Sequence, residues 1–479
     1  MANISASLKG VFSKESKDGQ ISNRAKLFLA FPAMPVTVGN VLIHNAYIKY
    51  YSDVIGLDVG FVGIIYLIFG IWNAINDPML GVVIDRFRYT PKRGKYVYFM
   101  RVTAPLIIFS SFAMIFAQPS WNEWVIFAVF LVLLFVFDTA QTAYSIALAA
   151  YILVAAPSKN ERVDVSVYRT YVAHAGGLLG TIIPTLLLVG NNNKSLTVIL
   201  FSVVLAVNAF LYWIALRNIH DKAEMYKDEI HSSEGELVKY VRESSIEAFT
   251  SKSFITFVLW QVIGRGPYMF YFTPFLYMMD HVFQFSGGQA TAIDVSSGVV
   301  MLILVPFMGI WVKKVGVKRA IIVGTLPTAL GYLGLYLTQS FWQVMLAYWV
   351  IIIGSQFSNL SLSPMLGAVI DEDEQKTGVR KAGLFTGLNA LITIPVSGIQ
   401  AAIFTTLISF YGFESGAVEQ SVRALNGIRI GAGLLPILFV LLGVIPIFFS
   451  PINYVREKEL SDFSEQRHRD HPVEISVNN

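Results

Sequence analysis

The 479-residue chain contains no cysteine, which excludes disulfides and thiolate metal sites. Charge is also scarce. Asp, Glu, Lys and Arg make up 14% of residues against 54% hydrophobic, whereas a soluble protein carries about a quarter charged. The few charges crowd into short stretches separated by long uncharged runs. That distribution belongs to a chain embedded in a bilayer, because ionised groups are costly in hydrocarbon. Metal-spaced His/Asp/Glu clusters, a nucleophile elbow and a phosphate loop are all missing, so the chain does not read as an enzyme. No soluble catalytic domain fits either, since the longest polar stretch is 218–253. The net charge of +4 is spread among loops and points to no nucleic-acid partner. The first 26 residues are polar, with no apolar core before Leu27, so no cleaved signal peptide is expected. The polar tail from Arg456 is expected to be unstructured.

What remains is apolar runs of membrane-spanning length, about 20 residues each. They fall near 27–50, 59–83, 97–117, 124–155, 168–190 and 195–216. After a polar stretch they resume near 254–279, 289–312, 319–338, 341–369, 382–411 and 425–450. The expected organisation is a cytoplasmic tail (1–26), a six-helix bundle (27–217), a central loop (218–253), a second bundle (254–450) and a tail (451–479). Most of the 36 Lys and Arg lie in the two tails, the central loop and alternate short loops. The positive-inside rule then places both termini in the cytoplasm. An all-α fold of about twelve transmembrane helices in two six-helix bundles suits the major facilitator architecture. The basic turns GVVIDRFRYTPKRGK (81–95) and GIWVKKVGVKRA (309–320) sit at equivalent points of the two halves and echo that symmetry.

Polar and ionisable residues inside spans point to function, because they face a cavity or a partner. Asp77 lies in WNAINDPML (72–80), sharing a helix face with Asn73 at i−4. A carboxylate beside a carboxamide can carry a proton or help ligate Na⁺; the competing role is helix packing. Asp138, Thr142 and Ser145 form one stripe of the fourth span, unless Asp138 merely reaches for the interface. Arg265 breaks the seventh span at VIGRGPYMFYF (262–272), and either an anionic substrate or a buried Asp would explain it. Thr37, Asn40 and His44 form a polar stripe on the first span. His44 and His174 are the two intramembrane histidines, and packing is the simpler role for each alone. Asn359 belongs to an unusually polar tenth span that suits a wet cavity.

The segments YYSDVIGLDVGFVG (50–63), IWNAINDPMLG (71–81), KRGK (92–95), NERVDVSVYR (160–169) and GVRKAGLFTGL (378–388) resemble the glycoside–pentoside–hexuronide:cation symporters, the melibiose permease group. The resemblance covers most of the chain and implies cation-coupled uptake of a sugar, glycoside or uronide. Of the two carboxylates in that family's second-span cation motif, Asp77 keeps one and Asn73 replaces the other. The family's sugar-contacting acids fall at Thr37 and Ser145, its eleventh-span lysine falls near Ile394, and its fifth-span arginine is kept as Arg169. With one carboxylate left, H⁺ is favoured over Na⁺ as the coupling ion, and Asp138 is a candidate substitute for the missing substrate acid. No cofactor is expected beyond that ion. The partners are lipid and a small solute, and the chain is read as a monomer in the cytoplasmic membrane. The alternatives are a carrier of an organic anion using Arg265 and Arg169, a carrier of an amphipathic solute, or an uncoupled facilitator.

Overall fold

The computed structural model describes residues 22–221 and 248–470, apart from 88, 156–158, 191–193, 270, 379–381, 394 and 418. Most of the N-terminal tail, most of the central loop and Ile394 thus lie outside the described residues. Among the described residues there is no strand, only an isolated Thr90–Gly94 bridge. The helices are α1 (Asn23–Ile55), α2 (Val59–Arg86), α3 (Tyr96–Ile115), α4 (Glu123–Ala155), α5 (Lys159–Leu188) and α6 (Lys194–Arg217). There follow α7 (252–282, interrupted), α8 (Gly287–Val315), α9 (Val317–Leu337), α10 (Phe341–Thr377), α11 (382–410, interrupted), α12 (Val422–Phe449) and α13 (Tyr454–Asp470).

Eleven of the described helices are long and apolar enough to cross a bilayer. Of the other two, α13 is polar and α7 is interrupted. Its apolar stretch Lys252–Gly264 is short, and π-helical turns at Trp260–Gly264 and Met278–Val282 flank two brief helical pieces. Proline and glycine explain the breaks, at Gly264, Gly266, Pro267 and Pro274. Local chemistry sets the other ends. Ser22 caps α1 by accepting from the Ala25 amide at 3.2 Å, and Asp58 caps α2 through Gly60 at 2.8 Å. Gly56, at φ 80°, takes the left-handed turn that stops α1.

The chain forms two compact units. Unit 1 comprises Met1–Ile230 with Met279–Thr291 and Gly412–Ser421; unit 2 comprises His231–Met278, Ala292–Tyr411 and Val422–Asn479. In unit 1, three buried tyrosines of α1 tie it to the end of α3. Tyr47, Tyr50 and Tyr51 donate to the carbonyls of Ser111, Ile115 and Met114 at 3.0, 2.7 and 2.7 Å. Two of these carbonyls close the last turn of α3, where a helix lacks its own donors.

α2 shows how the chain sorts its faces. Ile71, Ile75, Met79 and Val83, spaced by four, are exposed, which in a bilayer means facing lipid. Asn73 and Asp77, on the opposite side of the helix, are half-buried, and Asn76 is buried at 6% exposure.

The tail departs from expectation. Tyr454–Asp470 is helical, with Leu460 buried, Glu457 accepting from the Val317 amide at 3.0 Å and Arg456 donating to Gln375 at 2.5 Å. One buried leucine and two long-range hydrogen bonds dock a segment whose composition alone looks unstructured.

Candidate functional site

The polar face of α2 meets the polar stripe of α4 inside unit 1. With its amide nitrogen turned to Asp77, Asn73 donates to both carboxylate oxygens at 2.8 and 3.2 Å. The Thr142 hydroxyl lies beside Asp77. One turn away on α4, Asp138 is 3% exposed, accepts from the Asn76 amide at 3.4 Å and lies within electrostatic range of Asp77. Trp72 Nε1 donates to Thr139 at 3.3 Å, fixing the register of α2 on α4. The group therefore holds two carboxylates, two carboxamides and a hydroxyl. The sequence suggested one carboxylate here and offered Asp138 as a candidate substrate acid; the structure places it within electrostatic range of Asp77. Ser145, on the same stripe, is half-buried.

The α1 stripe is spent on packing contacts. Thr37 donates to the Ala33 carbonyl at 2.8 Å. Asn40 accepts from Gln141 at 3.3 Å, and Gln141 also donates to the Val36 carbonyl at 3.0 Å and accepts from Tyr212 at 2.9 Å. His44 lies against Phe69 and Phe137, ring centroids 5.1 and 5.8 Å away, with Nδ1 buried and unpartnered. Arg169 and His174 are exposed on α5.

Unit 1 also holds a charge cluster that the sequence reading passed over. Lys49 is fully buried and pairs with Asp53 and, at 2.6 Å, with Asp280. His281 Nε2 lies 2.7 Å from Asp53 and 3.8 Å from Asp280, while Asp280 accepts from the Gly190 amide at 2.7 Å. The i, i+4 pair Lys49/Asp53 was legible in YIKYYSD; its partners, some 230 residues on, were not. Asp53, Asp280 and His281 have ligand atoms close enough to surround a metal, but Lys49 already sets a positive charge among them.

In unit 2, the break in α7 presents Arg265 to a small cavity lined by Trp260, Tyr268, Tyr332 and Asn359. Its guanidinium donates to Gln261 at 3.2 Å and to Asn359 at 2.8 Å. Gln261 in turn donates to Asn389, and Asn359 to Gln356 at 3.2 Å. The break is possible because α7 and α12 touch backbone to backbone: a Cβ on Gly443 would lie 2.1 Å from the Gly264 Cα. A second small cavity is lined mainly by apolar and aromatic side chains, including Tyr271, Phe275, Phe404 and Leu435.

A long, almost wholly helical chain with polar groups confined to helix faces and internal cavities is the architecture of a carrier. Residues 28–454 match the family described as MFS/sugar transport protein. The chain belongs to that family. The MFS sugar-transport assignment makes it a multi-pass membrane transporter rather than an enzyme, as its composition led us to expect.

Among curated proteins it is 23% identical over 443 residues to the isoprimeverose transporter of Lactiplantibacillus pentosus, covering 89% of this chain and 88% of that one. It is 22% identical over 422 residues to the sodium-dependent lysophosphatidylcholine symporter 1 of Xenopus tropicalis, covering 81% and 79%. Among solved structures, a D-xylose-proton symporter superposes with a TM-score of 0.64 at 13% identity, over 88% of this chain and 97% of that one, which speaks to the fold alone.

Proposed function

We propose that this MFS transporter is a cation-coupled symporter that takes up a sugar or glycoside across the cytoplasmic membrane, with both termini cytoplasmic. The observation that carries this reading is the α2–α4 group. Two carboxylates within electrostatic range of each other, away from bulk water, favour a bound positive charge. Binding and losing that charge is the elementary event a coupled carrier needs.

H⁺ is our first assignment for the coupling ion. Asn76 turns an amide N–H donor toward Asp138, whereas a Na⁺ site would need its oxygen. A proton needs no such shell. Asp77 is then the residue that exchanges the ion, Asp138 the second carboxylate that sets its affinity, and Thr142 a positioning donor. The substrate is read as a sugar from the family and from the isoprimeverose transporter's likeness to this chain.

The test is uptake into proteoliposomes of labelled xylose and isoprimeverose under an imposed pH gradient or Na⁺ gradient, each without the other. Accumulation driven by the pH gradient supports the proposal. Accumulation driven by Na⁺ alone would overturn the choice of ion. Failure of either gradient to concentrate either sugar, beside gradient-driven uptake of lysophosphatidylcholine, would overturn the substrate.

A further inference from the structure

We infer that the cavity at the break in α7 is an oxyanion subsite, in which Arg265 binds a carboxylate or phosphate carried by the transported solute. The inference deepens the sugar-transport reading and rests on it. Arg265 is a permanent cation at the middle of an intramembrane helix, where an uncompensated charge is among the costliest groups a fold can keep. Its hydrogen-bond partners, Gln261 and Asn359, are both neutral carboxamides. No Asp or Glu lines the cavity among the described residues. Asp294, on α8, lies within electrostatic range of Tyr271 and Tyr348.

The guanidinium also has donors to spare. Of its five N–H groups two are used by the carboxamides, and Nε is buried with no partner. A donor left bare in a dry site costs what its lost hydration was worth. A planar fork with adjacent free donors matches one ligand chemistry best: an oxyanion held by two parallel hydrogen bonds.

The support behind it is built. Gln261 is fastened to Asn389 on α11 and Asn359 to Gln356 on α10, so the guanidinium is oriented from three helices. Around it the cavity offers the rings of Trp260, Tyr268 and Tyr332 and the hydroxyls of Thr328 and Ser358. Aromatic faces and hydroxyls beside a guanidinium suit a polyhydroxylated solute bearing one negative group.

The experiment uses the purified full-length protein and reads two things: melting temperature, and quenching of tryptophan fluorescence by D-glucuronate, D-glucose 6-phosphate and D-xylose. We expect saturable binding of glucuronate or of the sugar phosphate, tighter than that of xylose; the stronger of the two anions names the source of the oxyanion. Arg265→Gln should weaken that binding by about thirtyfold or more. Its melting temperature without ligand should hold level or rise, because a buried unpaired charge has been removed. Arg265→Lys should fall between, keeping the charge but losing the fork.

A large drop in melting temperature for Arg265→Gln without ligand would make Arg265 a structural cation and overturn the inference. So would binding of xylose alone, unchanged in Arg265→Gln, although that result would leave sugar transport standing. Binding of no sugar of either kind would sink both readings together.

Discussion

Replacing Lys49 with methionine isolates the charge cluster of unit 1, because methionine keeps the length and apolar stem of lysine and deletes only the ammonium. Lys49 is 0% exposed, and its partners Asp53 and Asp280 are 14% and 16% exposed. Breaking a buried pair by removing one member costs about 3–5 kcal/mol. Here the damage is softened. Asp53 keeps His281 at 2.7 Å and the Ser52 hydroxyl at 2.6 Å, and Asp280 keeps the Gly190 amide at 2.7 Å. The lower end, about 3 kcal/mol, is therefore expected. At roughly 2–4 °C per kcal/mol for a unit of this size, thermal unfolding of detergent-purified protein should fall by roughly 6–12 °C. Adding Asp280→Asn removes the carboxylate that has lost its partner and should restore part of the loss, a coupling that a double-mutant cycle measures. A Lys49→Met protein melting within about 2 °C of wild type would refute the account of this cluster as a buried stabilising pair.

Other consequences are as direct. Gly443→Ala, which sets a Cβ 2.1 Å from Gly264, should force α7 and α12 apart, lowering thermal stability by about 1–3 kcal/mol and disturbing Arg265; an unchanged melt would argue against that crossing. Asp138→Asn should weaken cation activation of transport by roughly tenfold or more, since a charge–charge term of about 4 kcal/mol is available near 4 Å at an effective dielectric of 20; a cation dependence identical to wild type would remove Asp138 from the site. Desolvation raises the Glu457 carboxyl above its ordinary value, partly offset by the Val317 amide. A raised acid binds protons more readily folded than unfolded, so docking of α13 should weaken as pH rises through that window. Hydrogen exchange across 454–470 should rise accordingly, and Glu457→Gln, which keeps an acceptor, should flatten the dependence; a flat wild-type profile would contradict it.

Much of this was legible in the sequence, for identifiable reasons. Spans announce themselves through length and hydropathy, and a charge inside one is conspicuous, so Asp77, Asp138 and Arg265 stood out. Pairings between helices were not legible. Asp138 sits seven residues from the position where the resembling family keeps its acid, and only the packing of α2 on α4 groups it with Asp77. The helix at Tyr454–Asp470 was missed because its stability comes from docking on α9 and α10, not from its own polar composition. Lys49 did not stand out because its partner Asp280 arrives from far along the chain.

The most direct test of the central claim separates coupling from passage. Wild-type protein and Asp77→Asn are reconstituted side by side, and xylose or isoprimeverose uptake is followed twice: as accumulation against its own gradient under an imposed pH gradient, and as exchange of labelled for unlabelled solute with no ion gradient. The account predicts that wild type does both, while Asp77→Asn exchanges solute but concentrates none. Accumulation by Asp77→Asn equal to wild type would contradict the assignment of Asp77 as the residue that carries the ion.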